Sequence, residues 1–409
     1  MNRVVITGLG VVSSVGQSTQ DYWNSLIAGR LGFALPTLGA AAQATAKLVG
    51  EVKSFDSAVH FESSQITLLD RVSQFAIVAA RQAVSQSGLA LDGELAGRTA
   101  AIIGTGSGGH TTLDENFRRL YAEGAARLHP LTIPRAMVSA PASQVSMYCG
   151  IKGPVFAVSS ACASATHAIG QAFHMVRSGS VTCAVTGGTE ASITFSSMKG
   201  WEAMRIMSPD TCRPFSKDRK GMLIGEGAAI VTLEALDYAR GRGADILAEI
   251  VGFGMSADSK DLTAPDAGGM ARAITAALAD AGLSPNAIDY VNAHGTGTTA
   301  NDHAETVALH RSLGAHARQL AVSSTKSVVG HTLGAAGALE FVAAIMAIRD
   351  GVAPPTMNYL GADPDCDLDY VPNEARRMPI RGILSNSFAF GGLNAVLAAR
   401  QFDGSLAAA

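Results

Sequence analysis

The chain repeats itself, and the repeat restricts its fold more than any other feature. Residues 157–179 read AVSSACASATHAIGQAFHMVRSG, and residues 321–351 read AVSSTKSVVGHTLGAAGALEFVAAIMAIRDG. Both are a short strand, an AVSS turn, small residues, a long helix and a terminating glycine. The correspondence extends outward on both sides. AAIIGTGSG at 100–108 pairs with DYVNAHGTG at 289–297, and CAVTGGTEAS at 183–192 pairs with ILSNSFAFGG at 383–392. Such self-similarity marks a duplicated α/β unit, one copy in each half. Two halves, residues 1–245 and 246–409, are expected to pack about a pseudo-two-fold axis, with loops from both converging between them.

The intervening pattern agrees. Short β-branched runs alternate with longer amphipathic or alanine-rich stretches, as in a layered α/β body. Strands are expected at 4–7, 100–103, 155–158, 183–185, 230–233, 246–251, 290–292, 320–322, 383–384 and 395–398. Helices are expected at 20–28, 71–87, 163–178, 270–281, 302–313 and 334–349. On the second of these, Val72, Phe75, Ala76 and Ala79 recur at helical spacing and mark a core face. No Pro/Ser-rich linker separates the halves. A chain of 409 residues buries most of its apolar surface, which accommodates 47% hydrophobic and only 16% charged residues. So little charge also leads us to expect a partner subunit over part of the surface.

Composition removes several function classes. Thirty-one basic against 34 acidic residues leave a net charge of −3, no footprint for nucleic acid. The longest apolar stretch, Ala335–Ile348, carries Glu340 and is too short to span a bilayer. The N-terminal MNRVVITGLGVVSS reads as strand and turn rather than signal peptide. Five cysteines, at 149, 162, 183, 212 and 366, show no CxxC spacing. That usage fits a reducing cytoplasm and argues against zinc.

Three residues stand out chemically. Cys162, in SSACAS, lies between a strand and the first turn of a helix. A helix N-terminus lowers a thiol's pKa, so this cysteine is a candidate nucleophile, against the alternative of a buried small hydrophobe. His294, in NAHGTGT, follows a strand, and His331, in KSVVGHTLGAAG, opens the helix that echoes the one after Cys162. Each histidine alone is more often structural. The duplication puts all three at corresponding strand ends, a constellation suited to thioester chemistry. Two decoys are set aside. Gly104, Gly106 and Gly109 satisfy GxGxxG, but the following segment is too polar and no acidic strand end follows at the required distance. His167/His174 and His303/His310 are two helical turns apart, too far to share a metal.

With these motifs in hand, the sequence resembles the β-ketoacyl-acyl-carrier-protein synthases, the elongating condensing enzymes of type II fatty acid synthesis (synthase I/II type). The resemblance runs from VVITGLG to NSFAFGGLNAVL and includes SSACASATHAIG, NAHGTGT, TKSVVGHTLGAAGALE and the FAFGG loop. It implies the thiolase fold, a duplicated five-layered αβαβα body, usually homodimeric, with a heterodimer as the variant. It implies a cytoplasmic acyltransferase whose substrates ride on the phosphopantetheine of acyl carrier protein, with no permanently bound cofactor and no nucleic-acid or membrane partner. Cys162 would take the acyl chain as a thioester. His294 and His331 would promote decarboxylation of malonyl-carrier protein. The backbone N–H groups of Cys162 and Phe390 match the oxyanion hole, and Lys326 with Glu340 the pair supporting His331. Thr296 and Thr298 match hydroxyls on the pantetheine arm, and Ser107, Phe388 and Gly391 are carried over as further substrate contacts.

Departures from the family pattern carry expectations too. The gate loop usually reads FGFGG, and Ala389 replaces its first glycine. If that position needs positive φ, alanine restricts the loop. Thr299 and Asn301 replace the usual Pro and Gly, while Asp302 is kept. Ser107, where relatives carry a bulky aliphatic residue, is expected to enlarge the acyl pocket. The start of the helix near Ser64–Leu69 lacks a basic pair for the acidic carrier, leaving Arg71, Arg127, Arg135 and Arg205 as candidates. These changes point toward a specialised synthase of a polyene or polyketide pathway. A thiolase-like enzyme is disfavoured by the second histidine, and a non-catalytic chain-length subunit by the presence of Cys162.

Overall fold

A computed structural model describes residues 1–37 and 48–404. The first half contributes β1 (Val4–Ser13), α1 (Arg71–Ser87), β2 (Thr99–Gly104), β3 (Val155–Val158), α2 (Ser164–Ser178), β4 (Cys183–Glu190) and β5 (Gly227–Ala235). The second contributes β6 (Ala248–Ala257), α3 (Ala267–Ala281), β7 (Tyr290–Asn292), α4 (Thr299–Leu313), β8 (Ala321–Ser323) and α5 (Ala336–Asp350). A small pair, β9 (Val352–Ala353) and β10 (Arg376–Arg377), precedes β11 (Gly382–Ala389) and β12 (Leu393–Arg400).

The strand order is β3-β2-β4-β5-β1 in the first half and, read outward-in, β8-β7-β11-β12-β6 in the second. Orientations match step for step. β2 is parallel to β3 and β4, as β7 is to β8 and β11, and the last two pairings of each half are antiparallel. The halves meet along β1 and β6, where Val4, Val5 and Ile6 pair with Ile250, Glu249 and Ala248. Helix α1 covers the outer face of the first half, and α3 with α4 covers that of the second. Helices α2 and α5 pack on each other and touch strands of both halves. The result is the five-layered αβαβα thiolase-like body that the resemblance implied.

Helix chemistry assigns the layers. Every residue from Ala336 to Ile348 of α5 is buried, as befits a helix apolar on all sides and enclosed by strands of both halves. By contrast α1 is amphipathic, and the Asp70 carboxylate accepts the Val72 N–H at 2.9 Å to cap it. All ten expected strands are present, several longer than their β-branched cores. β1 runs on through Gly8 and Gly10, which interrupt the hydrophobic pattern because α1 lies directly against them. A Cβ on Gly8 would sit 2.0 Å from the Ala83 carbonyl oxygen. Among the described residues, no helix is long and apolar enough to cross a membrane, and no His/Cys/Asp/Glu group has the arrangement of a metal site.

Candidate active site

Strand ends from both halves open onto one cavity of about 400 Å³. Its wall includes Cys162, His294, Thr296, Thr298, His331, Phe388 and Phe390. Cys162 sits in the turn between β3 and α2, only 7% exposed. Its neighbour Ala161 is held at φ 49°, a left-handed conformation that costs a non-glycine residue about 1–3 kcal/mol and turns the chain sharply at the sulfur. The backbone N–H of Phe390, just past β11 of the other half, lies beside that sulfur and favours its thiolate. Burial pushes the thiol up to about 12, with Glu190 and Glu340 adding to the effect and Lys326 opposing it. The resting group is therefore a thiol, and the lowering expected from the helix N-terminus is overturned by desolvation.

The two imidazoles meet edge to face, ring centroids 5.3 Å apart and planes at 83°. Lys326 Nζ lies 2.6 Å from the His294 carbonyl oxygen and 3.3 Å from His294 Nδ1. An ammonium can only donate, so Nδ1 accepts and the ring proton resides on Nε2. His331 reaches the same tautomer differently, because its Nδ1 accepts the Leu333 N–H at 3.2 Å. Burial, and then the Lys326 cation, hold both rings well below the ordinary histidine value. The pair thus offers two neutral Nε2–H donors. Lys326 is itself buried and ion-paired with Glu340, so the cation beside the imidazoles is fixed.

Carboxylates anchor the NAHGTGT loop. Glu305, on α4, accepts the N–H groups of His294 and Gly295, both at 2.8 Å, and the Asn386 amide at 3.1 Å. Burial raises its carboxyl to about 7. Asp302 accepts from Phe215 N at 2.8 Å and Gly297 N at 3.2 Å. The Thr296 and Thr298 hydroxyls lie 2.8 Å apart on the cavity wall.

Residues 1–239 match the β-ketoacyl synthase N-terminal domain and residues 247–360 the β-ketoacyl synthase C-terminal domain. The chain belongs to the β-ketoacyl synthase family. It is a condensing enzyme of the acyltransferase type. The synthase is 47% identical to a protein named nodulation protein E of Rhizobium sp. (strain N33), covering 98% of this chain and 99% of that one. It is 43% identical to 3-oxoacyl-[acyl-carrier-protein] synthase 2 of Coxiella burnetii, with 98% and 99% covered. Among solved structures, the ishigamide ketosynthase/chain length factor superposes with a TM-score of 0.94 at 36% identity, covering 98% and 99% of the two chains.

Several expected contacts of the synthase fall elsewhere. Ser107 is not on the cavity wall; its hydroxyl lies 2.5 Å from Glu190 Oε1 and 2.6 Å from Ser192 Oγ. Gly391 also lies off the wall and donates its N–H to the Leu262 carbonyl at 2.7 Å. Ala389 is extended, at φ −105°, while the positive φ values fall at Gly391 and Gly392. The alanine therefore imposes no restriction there. Arg71 is ion-paired with buried Glu226 at 2.6 Å, which removes it as a free carrier contact. Arg135 is half-buried, whereas Arg127 and Arg205 are exposed. The GxGxxG loop has no donors to spare for a phosphate, since Gly106 N and Ser107 N both bond Glu190. The apolar wall of Trp201, Met204, Ile206 and Met222 has no counterpart in the sequence reading. Trp201 stacks on Phe390 at 6.3 Å and 27°.

Proposed function

We propose that the synthase is a 3-oxoacyl-carrier-protein synthase of the I/II type that performs a decarboxylative Claisen condensation. The region 1–245 supplies the nucleophile and 246–409 the histidines. Cys162 takes the acyl chain from acyl carrier protein as a thioester, its proton passing to the carrier's pantetheine sulfur, and the free carrier leaves. The pantetheine arm of malonyl-carrier protein then runs past Thr296 and Thr298. His294 and His331 donate their Nε2 protons as hydrogen bonds to the malonyl thioester oxygen. As the carboxylate leaves as CO2, its bonding pair passes into an enolate stabilised at that oxygen. The enolate carbon attacks the acyl-cysteine carbonyl, whose developing oxyanion is received by the N–H groups of Cys162 and Phe390. Collapse expels the Cys162 sulfur, which takes a proton from solvent, and 3-oxoacyl-carrier protein leaves. Each such donor is worth roughly 3–4 kcal/mol in the transition state.

The observation carrying this reading is the locked pair of Nε2–H imidazoles on the wall that also holds Cys162. Intact-mass analysis after incubation with a ladder of acyl-carrier proteins tests it. Wild type is expected to gain an acyl adduct and Cys162→Ala none; an adduct on the variant, or none on wild type, contradicts it. A specialised pathway is favoured over housekeeping elongation by the 47% identity to nodulation protein E, against 43% for the synthase 2 relative. The family habit of homodimers, with a heterodimer as the variant, completes the proposal.

A further inference from the structure

One buried carboxylate joins the two halves at the site without being part of the proposed chemistry. Glu190, the last residue of β4, is 0% exposed. Among the described residues, its charge is met by five donors rather than by a cation. Oε2 accepts Gly106 N at 2.7 Å and Gly334 N at 2.9 Å. Oε1 accepts the Ser107 hydroxyl at 2.5 Å, Ser192 Oγ at 2.9 Å and Ser107 N at 3.3 Å. Four of these groups belong to the first half. Gly334 belongs to the second, in the 3-10 turn Leu333–Ala335 that starts α5.

That turn fixes the tautomer of His331. Leu333 donates its N–H to His331 Nδ1 while held at φ 50°, a conformation a leucine does not adopt unaided. What holds it is the next peptide. Gly334 is clamped so closely that a Cβ there would lie 2.1 Å from Gly106 N and 2.6 Å from Glu190 Oε2. The preceding strain at Leu333 is thus tied to a carboxylate hydrogen bond one residue later. A carboxylate at the first turn of a helix is also favoured by the helix dipole, which strengthens the clamp.

We propose that Glu190 is a positioning residue: through Gly334 it holds Leu333 N–H on His331 Nδ1 and so keeps the His331 proton on Nε2. The inference rests on the proposed role of His331 as a donor to the malonyl thioester. It also predicts opposite behaviour of the two half-reactions. Glu190 bears on Cys162 only through its negative charge, which disfavours the thiolate. Removing that charge leaves cysteine acylation undiminished, while malonyl decarboxylation suffers from a mixed His331 tautomer.

The test uses Glu190→Gln in the full-length protein with nitrogen-15-labelled histidine. Two quantities are read: the His331 tautomer by NMR, and the separate rates of Cys162 acylation and of CO2 release from malonyl-carrier protein. In wild type His331 is expected as the Nε2–H form. In Glu190→Gln a second form is expected, with CO2 release down roughly tenfold to a hundredfold in kcat, the scale for a misplaced donor, and KM within about twofold. Acylation is expected to stay at or above the wild-type rate. Ser192→Ala, which removes one donor but leaves the Gly334 arm, should keep the wild-type tautomer. An unchanged tautomer in Glu190→Gln, or equal losses in both half-reactions, overturns the positioning role. A changed tautomer with unchanged CO2 release leaves the positioning intact and overturns instead the role given to His331. Should Glu190→Gln fail to fold, Glu190→Asp, which keeps the charge but is one methylene too short, is read by the same two measurements with the same expectations.

Discussion

The two halves have the same strand order and the same strand–turn–helix unit, yet they fill the turn differently. In the first half the AVSS turn passes straight through Ala161 and Cys162 into α2, leaving a sulfur in a strained corner. In the second half the equivalent turn holds a short helix, Lys326–Val329, then Gly330 and His331, and a 3-10 turn before α5. The longer version has room for a buried ion pair and an imidazole. The upstream loops diverge in a parallel way. A buried glutamate grips two consecutive backbone N–H groups in each: Glu190 on Gly106 and Ser107, Glu305 on His294 and Gly295. Only the second loop carries a reactive side chain. The two copies share a scaffold, and the residues proposed to carry the chemistry lie where the copies differ.

The largest expected effect comes from the ion pair found in one turn only. Lys326→Met leaves Glu340 buried without its partner and should cost about 3–5 kcal/mol, read as a large fall in Tm. In the corresponding turn of the first half, Ser159→Ala removes only an exposed hydrogen bond of 3.2 Å to the Gly106 carbonyl. It should shift stability by no more than about 0.5 kcal/mol. Similar losses from both substitutions would mean that the two turns are energetically alike.

Next in size is a pH dependence carried in the second half by Glu305 and the two cavity histidines. Glu305, raised by burial from 4.5 to about 7, keeps its proton in the folded state where the unfolded chain has lost it. It therefore removes stability as pH rises from about 4.5 to 7. The lowered histidines act in the other direction. Unfolded His294 and His331 take up protons below 6.5 while the folded rings resist, so they remove stability as pH falls through 6.5. Thermal unfolding of Glu305→Gln should improve relative to wild type between pH 5 and pH 7.5, and a constant difference would contradict the assignment. By the same logic, CO2 release should show no inflection at 6.5, its acid limb lying well below. The smallest effect concerns the glycine loop. Ala389→Gly, at an extended position, should destabilise by about 0.5–1 kcal/mol and leave turnover unchanged.

The scaffold was legible because its signals are local and repeated. Alternating runs gave all ten strands, and the terminating glycines Gly179 and Gly351 both lie where the echo put them, with φ of 79° and 62°. Cys162, His294 and His331 were legible because the duplication aligned their loops. Glu190 and Glu305 were not, since a carboxylate that binds backbone N–H groups needs no motif around it. A weak signal existed at Glu305, one helical turn after the retained Asp302 on the buried face of α4. The small side chain of Ser107 suggests space, and the sequence gives no sign that its hydroxyl bonds Glu190. The direction of the thiol's shift is not legible, because helix position is visible in sequence and burial is not.

The central claim is that the nucleophile of one half and the donors of the other do separable work. CO2 release from malonyl-carrier protein, measured side by side in Cys162→Ala and His331→Ala, tests it most directly. Decarboxylation is expected to persist without the thiol and to fall roughly a hundredfold to a thousandfold without the imidazole. Loss of CO2 release in Cys162→Ala, or its retention in His331→Ala, would contradict it.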